Sequence, residues 1–107
     1  MPVTTEEVRA WLLSRDGIVE SSHFDKPDFR RNGKIVATLD EPARTVTMKL
    51  FDLEEQAALF AEDPITFSGS GAWTRHGWTV IALDRVDAAQ LNELLDAACA
   101  PPPKKRR

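Results

Sequence analysis

The apolar and polar positions of this chain change their spacing several times, and each spacing predicts a different element. Near the N-terminus the apolar positions recur with the period of a helix, behind Thr4 and Glu7, which have the spacing of a capping box. Gly17 ends this predicted helix, because glycine favours the conformation that closes helices. Residues 18–23 follow as a short predicted strand, and residues 25–27 as a turn or a strand edge.

The strongest local signal is the pair Asn32 and Gly33, which separates two runs of strand character. Both residues accept the positive φ angles of a type I′ turn, so a two-residue hairpin is predicted there. Beyond the turn, apolar and polar positions alternate over residues 35–39 and again over 45–50, which indicates an antiparallel meander with one buried face. The positions predicted to face the core are Ile35, Ala37, Leu39, Val46, Met48 and Leu50.

The second half of the chain begins with a predicted helix. Asp52 has the position of its N-cap, and Pro64 prevents the helix from continuing. The predicted buried stripe of this helix consists of Leu53, Ala57 and Phe60. The opposite face is acidic, so it is expected to be solvated.

The remaining segments complete the predicted fold. Residues 65–67 indicate a short strand, residues 68–71 a flexible glycine-rich stretch, and the nearly apolar residues 78–83 a central strand covered on both sides. A last helix is predicted from Asp87 to the proline run 101–103. This order of elements favours an α+β fold, in which an antiparallel β-sheet meander is packed with helices, over a parallel α/β fold.

With 107 residues, 42% hydrophobic and 29% charged, the chain has the length and composition of one globular domain. Residues 1–100 are predicted to form it, and the proline-rich and basic residues 101–107 to be a disordered tail. The net charge of −3 is unevenly distributed: the last four residues are basic, and the rest carries ten Lys and Arg against seventeen Asp and Glu. Nucleic-acid binding would therefore be confined to a local basic patch or the tail.

The location of the protein is constrained by two features of the sequence. No apolar run approaches the roughly 20 residues that span a bilayer, and no secretion signal opens the chain, so no membrane partner is expected. The single cysteine, Cys99, has no partner for an intrachain disulfide, which is typical of a reducing compartment. A cytoplasmic protein is predicted.

The patterns that carry catalysis are missing from the sequence. His23 and His76 lie in separate segments, and no serine or cysteine stands in an elbow-type motif. Neither a Cys-x-x-Cys pair, a His-x-x-x-His pair nor a phosphate-binding glycine motif occurs. We therefore expect no enzyme, no metal site and no cofactor.

Basic residues are concentrated around the predicted hairpin and in one later loop. The candidates for DNA binding are Lys26, Arg30, Arg31, Lys34 and Arg75. A basic hairpin on an acidic protein is suited to contact phosphates as a wing, since Lys and Arg neutralise the DNA backbone. Charged hairpin tips also serve solubility alone, so both interpretations stay open at this point.

The later loop, residues 73–78, places Arg75 between two tryptophans. Such a mixture suits a nucleic-acid backbone or stacking on a base. The same loop supports a different hypothesis, a protein-interaction or small-ligand module that uses Trp73, His76 and Trp78, because tryptophan and arginine are frequent at binding hot spots. In a third interpretation the tryptophans close the core.

Several segments, taken in order, resemble the MmcQ/YjbR family of small bacterial proteins. Residues 22–30 and 33–39 resemble the first signature of that family. Residues 49–50 precede an acidic helix, and residues 73–80 resemble a late Gly-Trp entry into a strand. The resemblance extends over roughly residues 4–99, nearly the whole chain.

This resemblance implies a frataxin-like (CyaY-like) α+β domain, often described as a double wing, and a DNA-binding role without agreed catalytic residues. Asp25 stands where many relatives carry glycine; aspartate tolerates a positive φ, yet its charge beside the hairpin opposes phosphate binding. We expect a binding protein without catalytic activity that contacts DNA phosphates. The alternative is a protein-interaction or small-ligand module.

Overall fold

The computed structural model describes residues 2–23 and 25–100, and its elements follow the predicted order. In this part of the chain the helices are α1 (Thr5–Leu13), α2 (Leu53–Glu62), a 3₁₀ helix (Gly71–His76) and α3 (Ala88–Cys99). The strands are β1 (Ile18–His23), β2 (Lys26–Arg31), β3 (Lys34–Asp40), β4 (Thr45–Lys49), β5 (Phe67–Gly69) and β6 (Trp78–Ala82). The predicted tail, residues 101–107, lies outside the described residues.

Within the described residues the strands form one six-stranded antiparallel sheet with the order β1-β2-β3-β4-β6-β5. The first four strands form the predicted meander, and β6 lies between β4 and β5. Helices α1 and α3 contact each other, and α3 also contacts β3 and β4. This arrangement confirms the predicted α+β fold. None of the helices described here is long and apolar enough to cross a membrane.

The core lies between the helices and the inner face of the sheet. Residues paired across neighbouring strands share this face, and their apolar side chains are fully buried. They are Phe29, Ala37, Leu39, Val46, Met48 and Ile81 from the sheet, joined by Leu12, Leu91 and Leu95 from the helices. The alternation predicted for residues 45–50 is therefore confirmed.

Strand β6 differs from its prediction of cover on both sides. Thr79 and Ile81 are buried on the inner face, whereas Trp78, Val80 and Ala82 are only half-buried on the outer face. The described helices pack against the inner face, so the outward side chains of β6 are shielded only by their neighbours in the sheet.

Two local signals are confirmed by hydrogen bonds and backbone angles. At the start of α1 the Thr4 hydroxyl accepts a hydrogen bond from the Glu7 N–H (3.1 Å), and the Glu7 carboxylate accepts one from the Thr4 N–H (2.9 Å). In the β2–β3 hairpin Asn32 and Gly33 have φ angles of 53° and 79°, as a type I′ turn requires. Helix α1 ends before Gly17, whose φ of 80° places it in the turn into β1.

Helix α2 turns a different face to the core than its apolar pattern predicts. Of the predicted stripe, Leu53 is 50% exposed, Ala57 is exposed and Phe60 is half-buried. Gln56 and Leu59 are buried instead. The predicted stripe is therefore wrong, and a polar side chain takes the central position on the buried face.

Gln56 is buried because its amide completes the hydrogen bonds of the segment that leads into β6. Its Nε2 donates to the carbonyl oxygens of Thr74 (3.0 Å) and Trp78 (3.4 Å), and to Oγ1 of Thr79 (3.1 Å). A buried amide with these partners avoids the cost of an unpaired polar group. The periodicity of apolar residues cannot reveal such a contact.

The segment predicted as a short strand and a flexible stretch is placed differently. Strand β5 begins only at Phe67, and Ile65, predicted to open it, is 68% exposed. After β5 the Thr74 hydroxyl accepts a hydrogen bond from the Ser70 N–H (2.7 Å) and donates one to the Gly71 carbonyl (2.8 Å). The glycine-rich residues therefore form the end of β5 and the start of the 3₁₀ helix.

Candidate nucleic-acid interface

The loops of the sheet lie at two opposite ends. Because the strands are antiparallel, the Asn32-Gly33 turn lies at the same end as Lys49 and Trp78, which pair across β4 and β6. The β3–β4 loop, residues 41–44, lies at the other end. We call these two ends the hairpin end and the loop end.

Lys26, one of the five candidates for DNA binding, lies at the loop end. Its Nζ is 3.2 Å from the Asp40 carboxylate. The backbone N–H of Ala43 and the ammonium of Lys26 together lower the pKa of Asp40. The carboxylate therefore stays ionised at neutral pH and compensates the charge of Lys26.

Arg30 forms a two-pronged ion pair with Asp28. Its Nε donates to Oδ1 of Asp28 at 2.8 Å, and its Nη2 donates to Oδ2 at 3.1 Å. The hydrogen bond and the charge of Asp28 raise the pKa of Arg30 further above its ordinary value. Asp28 is completely buried, so this guanidinium is held by a carboxylate that solvent does not reach. The charge of Arg30 is already compensated within the protein.

The other three candidates lie at the hairpin end. Arg31 and Lys34 flank the turn of the β2–β3 hairpin, and Arg75 lies in the 3₁₀ helix that leads into β6. This helix is fixed to the end of β4, because the Leu50 N–H donates to the Gly77 carbonyl (2.9 Å). Two strand spacings, about 10 Å, separate β3 from β6. The two predicted basic loops therefore lie side by side.

Lys49 and Phe51 also belong to this end, although the sequence pattern gave them no functional role. The Nζ of Lys49 lies 5.7 Å from the centre of the Phe51 ring, a cation–π geometry. Phe51 directly follows the buried Leu50 at the end of β4 and is itself 37% exposed. A partly exposed aromatic ring next to a lysine is the signal that points to this site.

We call Arg31, Lys34, Lys49 and Arg75 the basic end. They come from four different elements: β2, β3, β4 and the 3₁₀ helix. In the part of the chain that the structure describes, none of the four forms an ion pair with a carboxylate. The basic end thus presents uncompensated positive charge on a protein whose net charge is −3.

A cleft of about 400 Å³ opens at the basic end. Its cationic lining comes from Arg31, Lys34 and Lys49, and its apolar lining includes the adjacent residues Ile35 and Val36 as well as the Phe51 ring. No carboxylate of the described residues lines it. The cleft therefore combines positive charge with apolar wall, a mixture suited to an anion that also carries an apolar group.

A β-bulge explains why two neighbouring apolar residues both line the cleft. Phe29 pairs with Ala37, but the next residue, Arg30, pairs with Ile35, so Val36 is an extra residue in β3. Ile35, predicted to face the core, is half-buried and lines the cleft together with Val36. The strict alternation predicted for residues 35–39 is therefore wrong at its start.

The residues predicted for protein or ligand binding lie beside the basic end. Trp73 is 64% exposed, so this tryptophan does not close the core. The His76 ring is also exposed and lies 6.1 Å from the Trp73 ring, tilted by 51°. Trp78 is half-buried in β6. The structure thus brings Trp73 and His76 together on the surface and places Trp78 in the sheet.

Neither Cys99 nor a cluster of metal-ligating side chains marks a second candidate site among the described residues. Burial raises the pKa of the Cys99 thiol, and the thiol form is a poor nucleophile at neutral pH. Among the residues that the structure describes, no group of three or more His, Cys, Asp and Glu side chains could hold a metal ion. The basic end is therefore the candidate site.

Comparison with known families identifies the chain. A family model described as YjbR matches residues 13–98, most of the chain. The chain belongs to the YjbR family. The resemblance carried by residues 22–30, 33–39 and 73–80 is thereby confirmed. The description of the YjbR family names no ligand for the basic end.

A solved structure supports the fold of this YjbR protein. The crystal structure of Deinococcus radiodurans protein DR2400, described with the domain DUF419, superimposes with a TM-score of 0.80 at 21% sequence identity. The similarity covers 90% of this chain and 75% of that protein. At this identity the similarity shows the fold alone. No curated protein matches this chain.

Proposed function

We propose that this YjbR protein binds DNA, without catalysing a reaction, by pairing the basic end with backbone phosphates. The observation that supports this function is that Arg31, Lys34 and Lys49 line one cleft, with Arg75 at the same end of the sheet, and that none of the four pairs with a described carboxylate. Phosphate oxygens are the partners that such cations neutralise most effectively.

The charge distribution makes this binding local and sensitive to salt. The protein as a whole is acidic, with a net charge of −3, so long-range attraction to DNA is weak. Binding then depends on the few phosphates that the basic end reaches. Four phosphate contacts correspond to a slope of about −3.6 for the logarithm of affinity against the logarithm of salt concentration.

The test removes three cations of the basic end together. In the variant Arg31→Gln, Lys34→Gln and Lys49→Gln, the affinity for a fluorescent DNA at low salt is expected to fall at least about tenfold. The reason is that DNA binding releases fewer counterions when phosphate contacts are lost. The slope against salt is expected to become shallower by about 2–3. Fluorescence anisotropy titrations at several salt concentrations measure both quantities.

The matched control carries the same change in net charge at the loop end. Lys26→Gln, Arg44→Gln and Arg85→Gln remove three cations whose neighbours include carboxylates, such as Asp40 for Lys26 and Asp84 for Arg44 (3.4 Å). This variant is expected to keep the affinity and the salt slope of the unmodified protein. Equal losses in both variants, or no DNA binding by the unmodified protein, would overturn the proposed function.

A second candidate function is protein or small-ligand binding around Trp73. The observation that favours it is the exposure of this side chain, 64%, beside the exposed His76 ring. Tryptophan is among the residues most enriched at binding hot spots. A ligand screen read by tryptophan fluorescence favours this function if a signal is lost in Trp73→Ala and kept when the basic end is neutralised.

A further inference from the structure

The cleft at the basic end has an apolar wall that phosphate contact alone does not require. Its charged lining, Arg31, Lys34 and Lys49, would serve a phosphate on an open surface equally well. The apolar wall, made of Ile35, Val36 and the Phe51 ring, adds nothing to phosphate binding. Its presence points to a ligand in which an anion and a flat apolar group are directly connected.

A nucleotide unit of nucleic acid has this composition. Its phosphate suits the three cations, and its base offers a flat face that packs against an aromatic ring. The volume of the cleft, about 400 Å³, lies within the range of pockets that bind small molecules. Lys49 lies over the Phe51 ring, 5.7 Å from its centre, so a base that replaces the ammonium on this face, or packs on the opposite face, has a cation nearby for its own phosphate.

Duplex DNA cannot use this wall, because its bases are stacked and paired inside the helix. Only an unpaired nucleotide can place its base in the cleft while its phosphate reaches the cations. We propose that the cleft binds one unpaired nucleotide, so that the preferred nucleic acid is single-stranded; this inference rests on the proposed function. The apolar wall reads no hydrogen-bonding edge of the base, so the site accepts different bases.

The β-bulge supports this assignment from the backbone. By inserting Val36 opposite the Arg30–Ile35 pair, it turns two successive apolar side chains to the cleft instead of one. Bulges often re-aim side chains next to functional sites. The β-bulge in β3 therefore places the apolar wall that a base would contact, directly beside the basic turn of the β2–β3 hairpin.

The test compares oligothymidylate of about eight nucleotides with a blunt duplex, because site sizes of this order are typical of small single-strand binders. The unmodified protein is expected to bind the single strand more tightly. In Phe51→Leu, which keeps an apolar side chain and the net charge, the affinity for the single strand is expected to fall about tenfold. The affinity for the duplex is expected to stay the same.

Controls separate this site from its alternatives. Trp73→Leu removes an exposed ring outside the cleft and is expected to leave single-strand affinity unchanged. Thymidine 5′-monophosphate is expected to compete only weakly, because it cannot reach Arg75 and the cleft at once. Competition as strong as that of the oligomer would make a free nucleotide the ligand and overturn the proposal that the ligand is a single strand.

The outcomes distinguish the two proposals. Equal affinity for both DNAs, with no effect of Phe51→Leu, overturns the nucleotide cleft and leaves phosphate binding by the basic end intact. A loss in Trp73→Leu but not in Phe51→Leu also overturns the cleft. The absence of binding to either DNA overturns the proposed function itself.

Discussion

Of the five glycines, Gly77 leaves the least room for a side chain. Its φ is 98°, and a Cβ there would collide with the backbone carbonyl oxygen of Leu50. The same two residues share the hydrogen bond that fixes the 3₁₀ helix to β4. The conformation of one glycine therefore fixes the 3₁₀ helix that carries Arg75 to the end of β4.

Replacing Gly77→Ala is expected to lower the free energy of unfolding by about 3 kcal/mol or more, since backbone strain of about 1–3 kcal/mol adds to the collision. Gly33→Ala is the matched control: its φ is 79°, but no atom lies within 4 Å of the added Cβ. There only the strain of about 1–2 kcal/mol is expected. Urea unfolding measures both, and equal losses would contradict the close packing at Gly77.

The carboxylate of Asp63 shows how a local hydrogen bond makes stability depend on pH. The Thr66 hydroxyl (2.6 Å), followed by the Thr66 backbone N–H (3.2 Å), lowers the pKa of Asp63. Because the folded pKa lies below the unfolded one, this contribution is present above the unfolded pKa of about 3.9 and is lost as the pH falls through the folded pKa.

In Thr66→Val the hydroxyl donor is removed while the buried shape is kept. The pKa of Asp63 is expected to rise toward its ordinary value, and the acid-dependent loss of stability below about pH 4 to become smaller. An NMR titration of the Asp63 carboxyl measures the pKa directly. An unchanged pKa in the variant would show that the hydroxyl is not its main cause.

The elements differ in how far their sequence predicts them. The β2–β3 hairpin is predictable because Asn32 and Gly33 carry their turn conformation locally, whereas the bulge at Val36 depends on how β3 pairs with β2. The core face of α2 is not predictable from apolar spacing, because Gln56 is buried through bonds to Thr74 and Thr79 in a distant segment.

The candidate site divides in the same way. Arg31, Lys34 and Arg75 are visible in the sequence as basic residues in loops. Lys49 and Phe51 lie beside Arg31 and Lys34 because β4 pairs with β3, and the pairing of β4 with β6, which lies far away in the chain, brings Arg75 to the same end. Lys26 and Arg30 have the same sequence signal as the first three, and only the structure reveals their carboxylate partners.

The docking of α2 can be tested through Gln56. In Gln56→Glu a carboxylate would face the carbonyl oxygens of Thr74 and Trp78, so a loss of about 2–3 kcal/mol is expected at neutral pH. Burial and these oxygens raise the folded pKa of the introduced carboxyl above its unfolded value of about 4.3. The penalty is therefore full above the raised pKa and disappears as the pH falls toward 4.3.

Urea unfolding of this variant at pH 7 and about pH 5 measures the recovery. Gln56→Leu is the control, because it loses the amide donor as Gln56→Glu does and, unlike that variant, cannot ionise. Its loss of stability is expected to be the same at both pH values relative to the unmodified protein. A pH-independent loss in Gln56→Glu would contradict the buried contact between α2 and the segment before β6.

At the scale of the whole molecule, the distribution of charge separates the two ends of the sheet. The chain is acidic, and the loop-end cations Lys26 and Arg44 have carboxylate partners. At the hairpin end, the cations Arg31, Lys34 and Lys49 line a partly apolar cleft, and Arg75 lies at the same end of the sheet. This asymmetry, more than net charge or composition, is why the proposed DNA binding would be a local property of the molecule.

Contact between nucleic acid and the hairpin end can be measured residue by residue through amide chemical-shift mapping with oligothymidylate. Titration of ¹⁵N-labelled protein is expected to shift the signals of residues 31–36, 49–51 and 75–77, together with Ala100 at the edge of the cleft. Signals of the loop end, residues 41–44, are expected to stay in place. Shifts concentrated at the loop end, or no shifts on addition of DNA, would contradict contact at the hairpin end.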